Sequence, residues 1–360
     1  MAGGARANAP ELILIDTLGG LQMQSSIRTA RSLGFALVIG HLGGFATAAL
    51  AQTQAAATMT KLTPVEVQQT GKAPTGPFAI VIEHDPGLAT HTIYRPRDLS
   101  LDKHGVLVWG EGGCAKNGLT FPEYLSEIAS HGFVVIADGP PIARPAGAPP
   151  PGAGGPPPGG GARPPGGGAP PAGGGGPPAD RFTMVNGAAL VAGMDWLEAQ
   201  SKDRNSRFYN KVDVQHIAAM GMSCGGLMSY GASNDPRVAT VGIWNSGLFE
   251  DERNAKIYAG IHSSVIIVTG GESDIAYANG KRDFEVMPPR VPVFYGVHPA
   301  VGHGGTYNQD NGGPFGVVAV AWLKWQLQGD KSAAGRGYFV GDDCGICRDS
   351  GWKVASRALP

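Results

Sequence analysis

The chain has 360 residues and a formal net charge of −1, with 42% hydrophobic and 16% charged residues. This composition excludes a highly charged disordered protein, and the near-neutral balance gives no electrostatic reason to expect a nucleic-acid partner. The 57 glycines and 29 prolines exceed average usage, and much of the excess lies in one internal segment.

Residues 23–51 have the three parts of a secretory signal peptide in order. Arg28 and Arg31 form the positive region, 33–50 is an apolar stretch without Asp, Glu, Lys or Arg, and Ala49-Leu50-Ala51 is an A-x-A cleavage site. The alternative is a membrane anchor, which the glycines interrupting the apolar stretch disfavour. We therefore predict a secreted or periplasmic protein with no stable membrane anchor after cleavage.

The segments on either side of this signal are predicted to lie outside the folded domain. Residues 1–22 are interpreted as an upstream start-site artefact, since signal peptides begin at the initiator Met. Residues 52–76 are polar, contain Pro and Thr, and are predicted to form a flexible lead-in.

Strand and helix patterns alternate from residue 77 to the end, which predicts one α/β domain with a mostly parallel sheet and helices on both faces. Short apolar runs are typical of strands buried on both faces, and apolar residues at helical spacing indicate the helices. The predicted strands are Phe78–Glu83, His91–Tyr94, Val106–Trp109, Phe133–Ala137, His216–Met220, Val238–Trp244, Val265–Thr269 and Val291–Val297. The predicted helices are Phe121–Ser130, Arg181–Gln200, Cys224–Ser233 and Pro314–Gln328.

Residues 139–179 interrupt this domain with a low-complexity run of Gly, Pro and Ala in which Arg144 and Arg163 are the only charges. Such a composition cannot bury a core or sustain a helix or strand ladder. We predict a disordered insertion in a surface loop, with a tether to a polymer or cell wall as the less favoured alternative.

The motif with most chemical content is Gly221-Met222-Ser223-Cys224-Gly225-Gly226, a G-x-S-x-G match. It follows a predicted strand and precedes a predicted helix, which is the strand–turn–helix setting of a nucleophilic serine. The glycines remove Cβ atoms where the backbone reverses, and the helix N-terminus offers N–H groups to a developing oxyanion. The pattern predicts Ser223 as the nucleophile of an acyl-transfer enzyme.

A serine hydroxyl needs a base to accept its proton. His303 is the predicted base because glycines on both sides let its ring approach the serine, and it lies in a loop after a predicted strand. His298, nearer the strand end and followed by Pro299, is the alternative.

The acid that orients the base is predicted to be Asp274, just past the strand 265–269. Glu272 and Asp251 are the alternatives. The chain order Ser, Asp, His is that of α/β-hydrolases, not of the chymotrypsin or subtilisin types.

An oxyanion site needs two donors, and one is predicted to be the backbone N–H of Cys224, the residue after the serine. The other is predicted to come from the glycine-rich loop after Val106–Trp109, from the N–H of Gly113 or Cys114. Glu111 in this loop either hydrogen-bonds away from the anion or binds a substrate hydroxyl. If Cys114 and Cys224 both face one oxyanion, they are close enough for a disulfide, which we state as a hypothesis.

The remaining cysteines, Cys344 and Cys347, form a C-G-I-C motif whose flanks read as loop. A structural disulfide is favoured because export implies an oxidising compartment, and a thioredoxin-like redox motif is the alternative. No second Cys/His pair lies at finger-like spacing, so no metal is predicted.

Taken together, VLVWGEGGC, residues 127–135 (EIASHGFVV), Gly221–Gly226, Asp274 and Gly302-His303-Gly304 resemble the α/β-hydrolase superfamily. The resemblance covers about residues 105–328 without the insertion. It is nearest to the branch of dienelactone hydrolases, chlorophyllases and cutinase-like polyester hydrolases. It implies an α/β-hydrolase fold and a single-domain esterase without metal or organic cofactor. The insertion, and Cys224 where bacterial polyester hydrolases tend to have Met, depart from it.

The predicted function is therefore that of a secreted serine hydrolase that cleaves small-molecule or polymeric carboxylic esters. A peptidase or amidase on the same fold, and a binding module on a fold that has lost catalysis, are the alternatives. Four aromatic residues near the expected edge of the sheet are interpreted as core rather than as an acyl pocket: Trp109, Phe121, Trp244 and Tyr277.

Overall fold

The structure is a computed structural model that describes residues 65–67, 72–143 and 180–360. The predicted signal peptide and upstream segment lie outside the described residues. So do most of the predicted lead-in and residues 144–179 of the predicted insertion.

The described residues form a ten-stranded sheet with the order β1-β2-β3-β5-β4-β6-β7-β8-β9-β10. Its six central strands, from β5 to β9 in that order, are parallel, whereas β1, β2, β3 and β10 pair antiparallel with their neighbours. This confirms the predicted α/β class with a mostly parallel sheet. The strands are β1 Val65–Val67, β2 Ile80–His84, β3 His91–Pro96, β4 His104–Gly110, β5 Val134–Asp138, β6 Val212–Met222, β7 Val238–Trp244, β8 Ser264–Gly270, β9 Val293–His298 and β10 Lys353–Arg357.

Helices cover both faces of this sheet. The helices are α1 Pro122–Ser130, α2 Ala188–Lys202, α3 Cys224–Ala232, α4 Asn254–Gly260, α5 Tyr277–Val286, α6 Gly313–Gln328 and the single turn α7 Gly345–Arg348. One apolar cluster joins α1 and α6 to one face, and a second joins α2, α3, α4 and α5 to the other. Successive side chains of a strand point to opposite faces of the sheet. In β4, Leu107 and Trp109 therefore face the first cluster, while Val106 and Val108 face the second.

The predicted helix 181–200 is partly wrong, because its first residues are a separate short turn. Arg181–Met184 is a 3-10 turn, and α2 starts only at Ala188. Gly187 packs against the backbone of Ala232 in α3, where a Cβ atom would overlap that backbone. Tertiary packing between α2 and α3 therefore sets the start of the helix, which the apolar spacing alone does not show.

Several short elements were missed by the sequence patterns. Strand β1 lies inside the predicted lead-in, where Val65 pairs with His84, and β10 pairs antiparallel with β9 at the other edge. The patterns predict neither α4 nor α5. These elements are short or sparsely apolar, so their position depends on the strand or helix beside them.

The strand order creates a switch point between β4 and β6. After β4 the chain goes to β5 on one side, whereas after β6 it goes to β7 on the other. Ligands of open α/β sheets bind beyond the carboxyl ends of the strands at such a point. The pairing of Gly110 with Gly221 brings the loop after β4 directly beside the turn after β6.

Candidate active site

Ser223 occupies the turn between β6 and α3, with a backbone conformation that few non-glycine residues adopt (φ 54°, ψ −114°). Its N–H donates a hydrogen bond of 2.8 Å to the carbonyl of Trp244, and its carbonyl accepts one of 2.6 Å from the hydroxyl of Ser246. Contacts from β7 and the loop after it thus hold the residue in a conformation it would not keep by itself.

The glycines of the motif allow the ends of β4 and β6 and the start of α3 to meet in backbone contact below Ser223. A Cβ atom on Gly225 would overlap the carbonyl oxygen of Gly110, and one on Gly110 would lie 2.7 Å from the Cα of Gly225. The first turn of α3 therefore packs directly on the end of β4. This contact is a tertiary reason for glycine at position 225, in addition to the local turn geometry.

The structure brings together Ser223, His303 and Asp274, the three residues predicted as nucleophile, base and acid. Nε2 of His303 is 2.9 Å from Oγ of Ser223, and Nδ1 of His303 is 2.7 Å from Oδ1 of Asp274. Both separations are within hydrogen-bond reach. With the Nδ1–H of the imidazole donated to Asp274, Nε2 is left to accept the serine proton.

Asp274 has a side chain with no exposed surface and is surrounded by donors. Burial alone raises the pKa of this carboxyl, but hydrogen bonds from His303, from the N–H of Ala276, from Asn245 and from the N–H of Gly270 together lower it. The backbone donors are at 2.9 Å and 3.0 Å. Asp274 is therefore an anion at neutral pH, suited to stabilise an imidazolium on His303.

Asn245 is a site residue that the sequence reasoning missed. It follows β7 directly, is buried, and has a positive φ of 41°. Its Nδ2 donates to Oδ2 of Asp274 at 2.8 Å, and its Oδ1 accepts from the hydroxyl of Tyr307 at 2.6 Å. Its position could have indicated a site residue, because it is a polar residue immediately after a buried strand, at the same sheet edge as Ser223.

The alternative base and acids lie elsewhere. The ring of His298 packs edge-on against Trp352, with centroids 5.0 Å apart. Glu272 is exposed, and Asp251 pairs with the guanidinium of Arg253, whose hydrogen bonds lower its pKa to about 2.

The loop after β4 forms a 3-10 turn at Gly112–Cys114, in which Gly113 and Cys114 both have positive φ, 64° and 52°. A disulfide joins Cys114 to Cys224, with Cα atoms 5.2 Å apart. Cys224 is the first residue of α3, a position where a backbone N–H has no intrahelical acceptor. The three predicted oxyanion residues, Gly113, Cys114 and Cys224, therefore lie beside Ser223 and line the same pocket.

Glu111, which begins this turn, is fully buried, and neither of its carboxyl oxygens makes a hydrogen bond. Burial raises its pKa well above the ordinary value, although the side chains of Trp109 and Thr120 lie near enough to lower it in part. The side chain of Glu111 does not reach solvent, so the expectation that it binds a substrate hydroxyl is wrong.

A pocket of about 250 Å³ opens beside the hydroxyl of Ser223. Its apolar lining includes Met184, Leu227, Phe249 and Ile275, and among the residues that the structure describes His303 is the only titratable side chain that lines it. Sequence reasoning missed these four residues because they come from four separate segments. Of the aromatic residues discussed above, Trp109, Phe121 and Trp244 are buried in the core, as expected, and Tyr277 packs on the second apolar cluster.

A second disulfide joins Cys344 to Cys347. The flanks of this pair are turns and irregular segments, as predicted, except that Arg348 ends the helical turn Gly345–Arg348, which Cys344 caps. Within the described residues, no cluster of three or more His, Cys, Asp or Glu side chains is arranged to hold a metal ion. None of the helices that the structure describes is both long and apolar enough to span a bilayer.

No protein-family model matches the chain, and a comparison with curated proteins found no match.

Proposed function

We propose that the protein is a serine hydrolase of the α/β-hydrolase fold that cleaves carboxylic esters through an acyl-enzyme intermediate. The observation that carries the proposal is the continuous hydrogen-bonded series from Ser223 through His303 to the buried carboxylate of Asp274. A nucleophile, a base and an orienting acid in this geometry are the parts that nucleophilic catalysis by serine requires.

The position of these residues in the sheet supports the α/β-hydrolase assignment. Ser223 lies on a strained strand-to-helix turn at the carboxyl edge, and the acid and base follow it in the order Ser, Asp, His. The loop between β4 and α1 lies where such enzymes supply the second oxyanion donor. A binding module that had lost catalysis would have no need of all these features together.

In the proposed mechanism, Oγ of Ser223 attacks the ester carbonyl while Nε2 of His303 takes its proton. The resulting oxyanion accepts hydrogen bonds from the N–H of Cys224 and from the N–H of Gly113 or Cys114. His303 then protonates the leaving alcohol, which departs and leaves the acyl group on Ser223. Water, activated by His303, releases the acid and restores the serine.

The pocket favours an ester with an uncharged, apolar acyl group. No Lys, Arg, Asp or Glu side chain from the described part of the chain lines it, so a charged acyl group would lose its hydration without gaining a partner there. An apolar acyl chain would instead cover the apolar side chains of residues such as Leu227 and Phe249. Removing both surfaces from water favours binding.

The proposal is tested with p-nitrophenyl esters and a fluorophosphonate probe, comparing the wild type with Ser223→Ala. We expect a burst of p-nitrophenol and covalent labelling in the wild type and neither in Ser223→Ala. Ser350→Ala, which changes an exposed serine, is the control and should behave as the wild type. Full hydrolysis by Ser223→Ala, or a folded wild type that neither labels nor hydrolyses esters, would contradict the proposal.

A further inference from the structure

We propose that the disulfide between Cys114 and Cys224 is a positioning device of the oxyanion site. In this inference, which rests on the proposed function, the two sulfurs take no part in the chemistry. They hold the backbone N–H groups of the turn 112–114 and of the start of α3 at the separation that one tetrahedral oxyanion requires. Cys114 and Cys224 act on catalysis through their backbone.

Gly112 at the start of the turn 112–114 packs against Met222, whereas a Cβ atom on Gly113 would meet no neighbouring atom. Gly113 and Cys114 are exposed, and both have left-handed backbone conformations, which an L residue such as Cys114 adopts at a cost. Two of the three residues of the turn are glycines without side chains.

The α3 end of the disulfide is fixed. Cys224 is 6% exposed and begins a helix whose next residue, Gly225, is in backbone contact with Gly110. The preceding residue, Ser223, is held by its hydrogen bond to Trp244. The disulfide thus fastens an exposed turn to a rigid element that also carries the nucleophile.

This arrangement makes a specific kinetic prediction. An oxyanion exists only once the carbonyl has been attacked, so its donors stabilise the transition state and not the bound ester. Loosening the turn should lower kcat and leave KM nearly unchanged. A disulfide that only added global stability would leave kcat per active site as it is in the wild type.

The first experiment compares Cys114→Ala/Cys224→Ala with Cys344→Ala/Cys347→Ala, which removes the other disulfide and is the matched control. Both pairs keep every backbone N–H. Since the loss of one oxyanion donor costs about 100- to 1000-fold in kcat, a displaced donor should lower kcat per titrated site at least about tenfold in the first pair. The affinity for a trifluoromethyl ketone, which forms a tetrahedral adduct with serine, should fall in parallel. The control pair should retain wild-type kcat.

The second experiment opens the bond in folded protein, in case the first pair does not fold. In the Cys344→Ala/Cys347→Ala background, a phosphine reduces the only remaining disulfide. The S–S bond takes two electrons, each sulfur gains a proton, and the phosphine becomes its oxide with oxygen from water. We expect the same loss of kcat with an unchanged near-ultraviolet circular dichroism spectrum. Wild-type kcat with both thiols free by mass spectrometry, or global unfolding on reduction, would overturn the inference.

Failure of the inference and failure of the proposed function give different results. If the wild type shows no acylation burst, the proposed function fails and the inference fails with it. If the wild type shows a full burst and the opened disulfide leaves kcat unchanged, only the positioning role is wrong.

Discussion

Nδ2 of Asn245 donates a hydrogen bond of 2.8 Å to Oδ2 of Asp274, the carboxylate whose other oxygen holds His303. Asn245 therefore fixes the acid from the side opposite the base. In Asn245→Ala, Asp274 loses one of its donors and can rotate, so the imidazole is oriented less well. We expect kcat/KM for an activated ester to fall about tenfold, the effect of losing one hydrogen bond to a charged group.

Tyr307→Phe provides the control for this prediction. It removes only the hydrogen bond from the Tyr307 hydroxyl to Oδ1 of Asn245 and leaves the bond to Asp274. We expect a smaller loss in Tyr307→Phe than in Asn245→Ala, as measured by steady-state kinetics. The reverse order, or wild-type kinetics in Asn245→Ala, would show that Asn245 does not support Asp274.

The backbone contact between Gly225 and Gly110 predicts that Gly225→Ala is severely destabilising. The added methyl would overlap the carbonyl oxygen of Gly110, and neither backbone can shift without moving β4 or α3. We expect the free energy of unfolding to drop by more than about 3 kcal/mol, as measured by urea denaturation. Gly260→Ala is the matched control, since its methyl would have ordinary contact with Asn234 at 3.5 Å. Equal stability of the two variants would refute the close contact.

The buried carboxyl of Asp283 is expected to make the stability of the protein depend on pH. It is fully buried on α5 and accepts hydrogen bonds from the hydroxyls of Tyr230 and Tyr258 and from the N–H of Leu248. Burial raises its pKa from 3.8 to about 6. Because the folded protein holds this proton more tightly than the unfolded chain, the stabilisation is present below pH 3.8 and is lost as the pH rises through about 6.

Asp283→Asn keeps the shape of the side chain but removes the titration. Between about pH 4 and pH 7, we expect the free energy of unfolding of the wild type to fall relative to Asp283→Asn by on the order of 3 kcal/mol. Urea denaturation at several pH values measures this difference. Asp102→Asn, at an exposed position, should follow the wild type. A constant difference between the wild type and Asp283→Asn would contradict the expectation.

Phe249 lines the pocket next to Ser223, and its ring is a candidate surface for the acyl chain. In Phe249→Ala, kcat/KM for a hexanoate ester should fall about tenfold, because part of the apolar contact with the chain is lost. An acetate ester is too short to make that contact and should change little. Val317→Ala, on the exposed side of α6, should affect neither ester. Equal losses for both chain lengths would place the acyl group elsewhere.

The central part of the fold was predictable from local patterns. Runs such as 106–109 and 265–268 are apolar throughout because both faces of a parallel sheet are covered. The alternation of such strands with predicted helices therefore indicates the α/β class. The outer elements β1 and β10, and the start of α2 at Ala188, were not predictable in this way, since neighbouring elements decide where they begin.

Local sequence patterns were enough to predict the candidate chemistry: a serine near glycines after a strand, and an acid and a histidine after later strands. These are local signals, because each such residue follows the end of a strand. Three relations become visible only in the folded protein: His303 and not His298 reaches Ser223, Asn245 donates to Asp274, and Cys114 meets Cys224. Those relations depend on strand order and register, which bring together residues up to 110 positions apart, and no local pattern encodes that geometry.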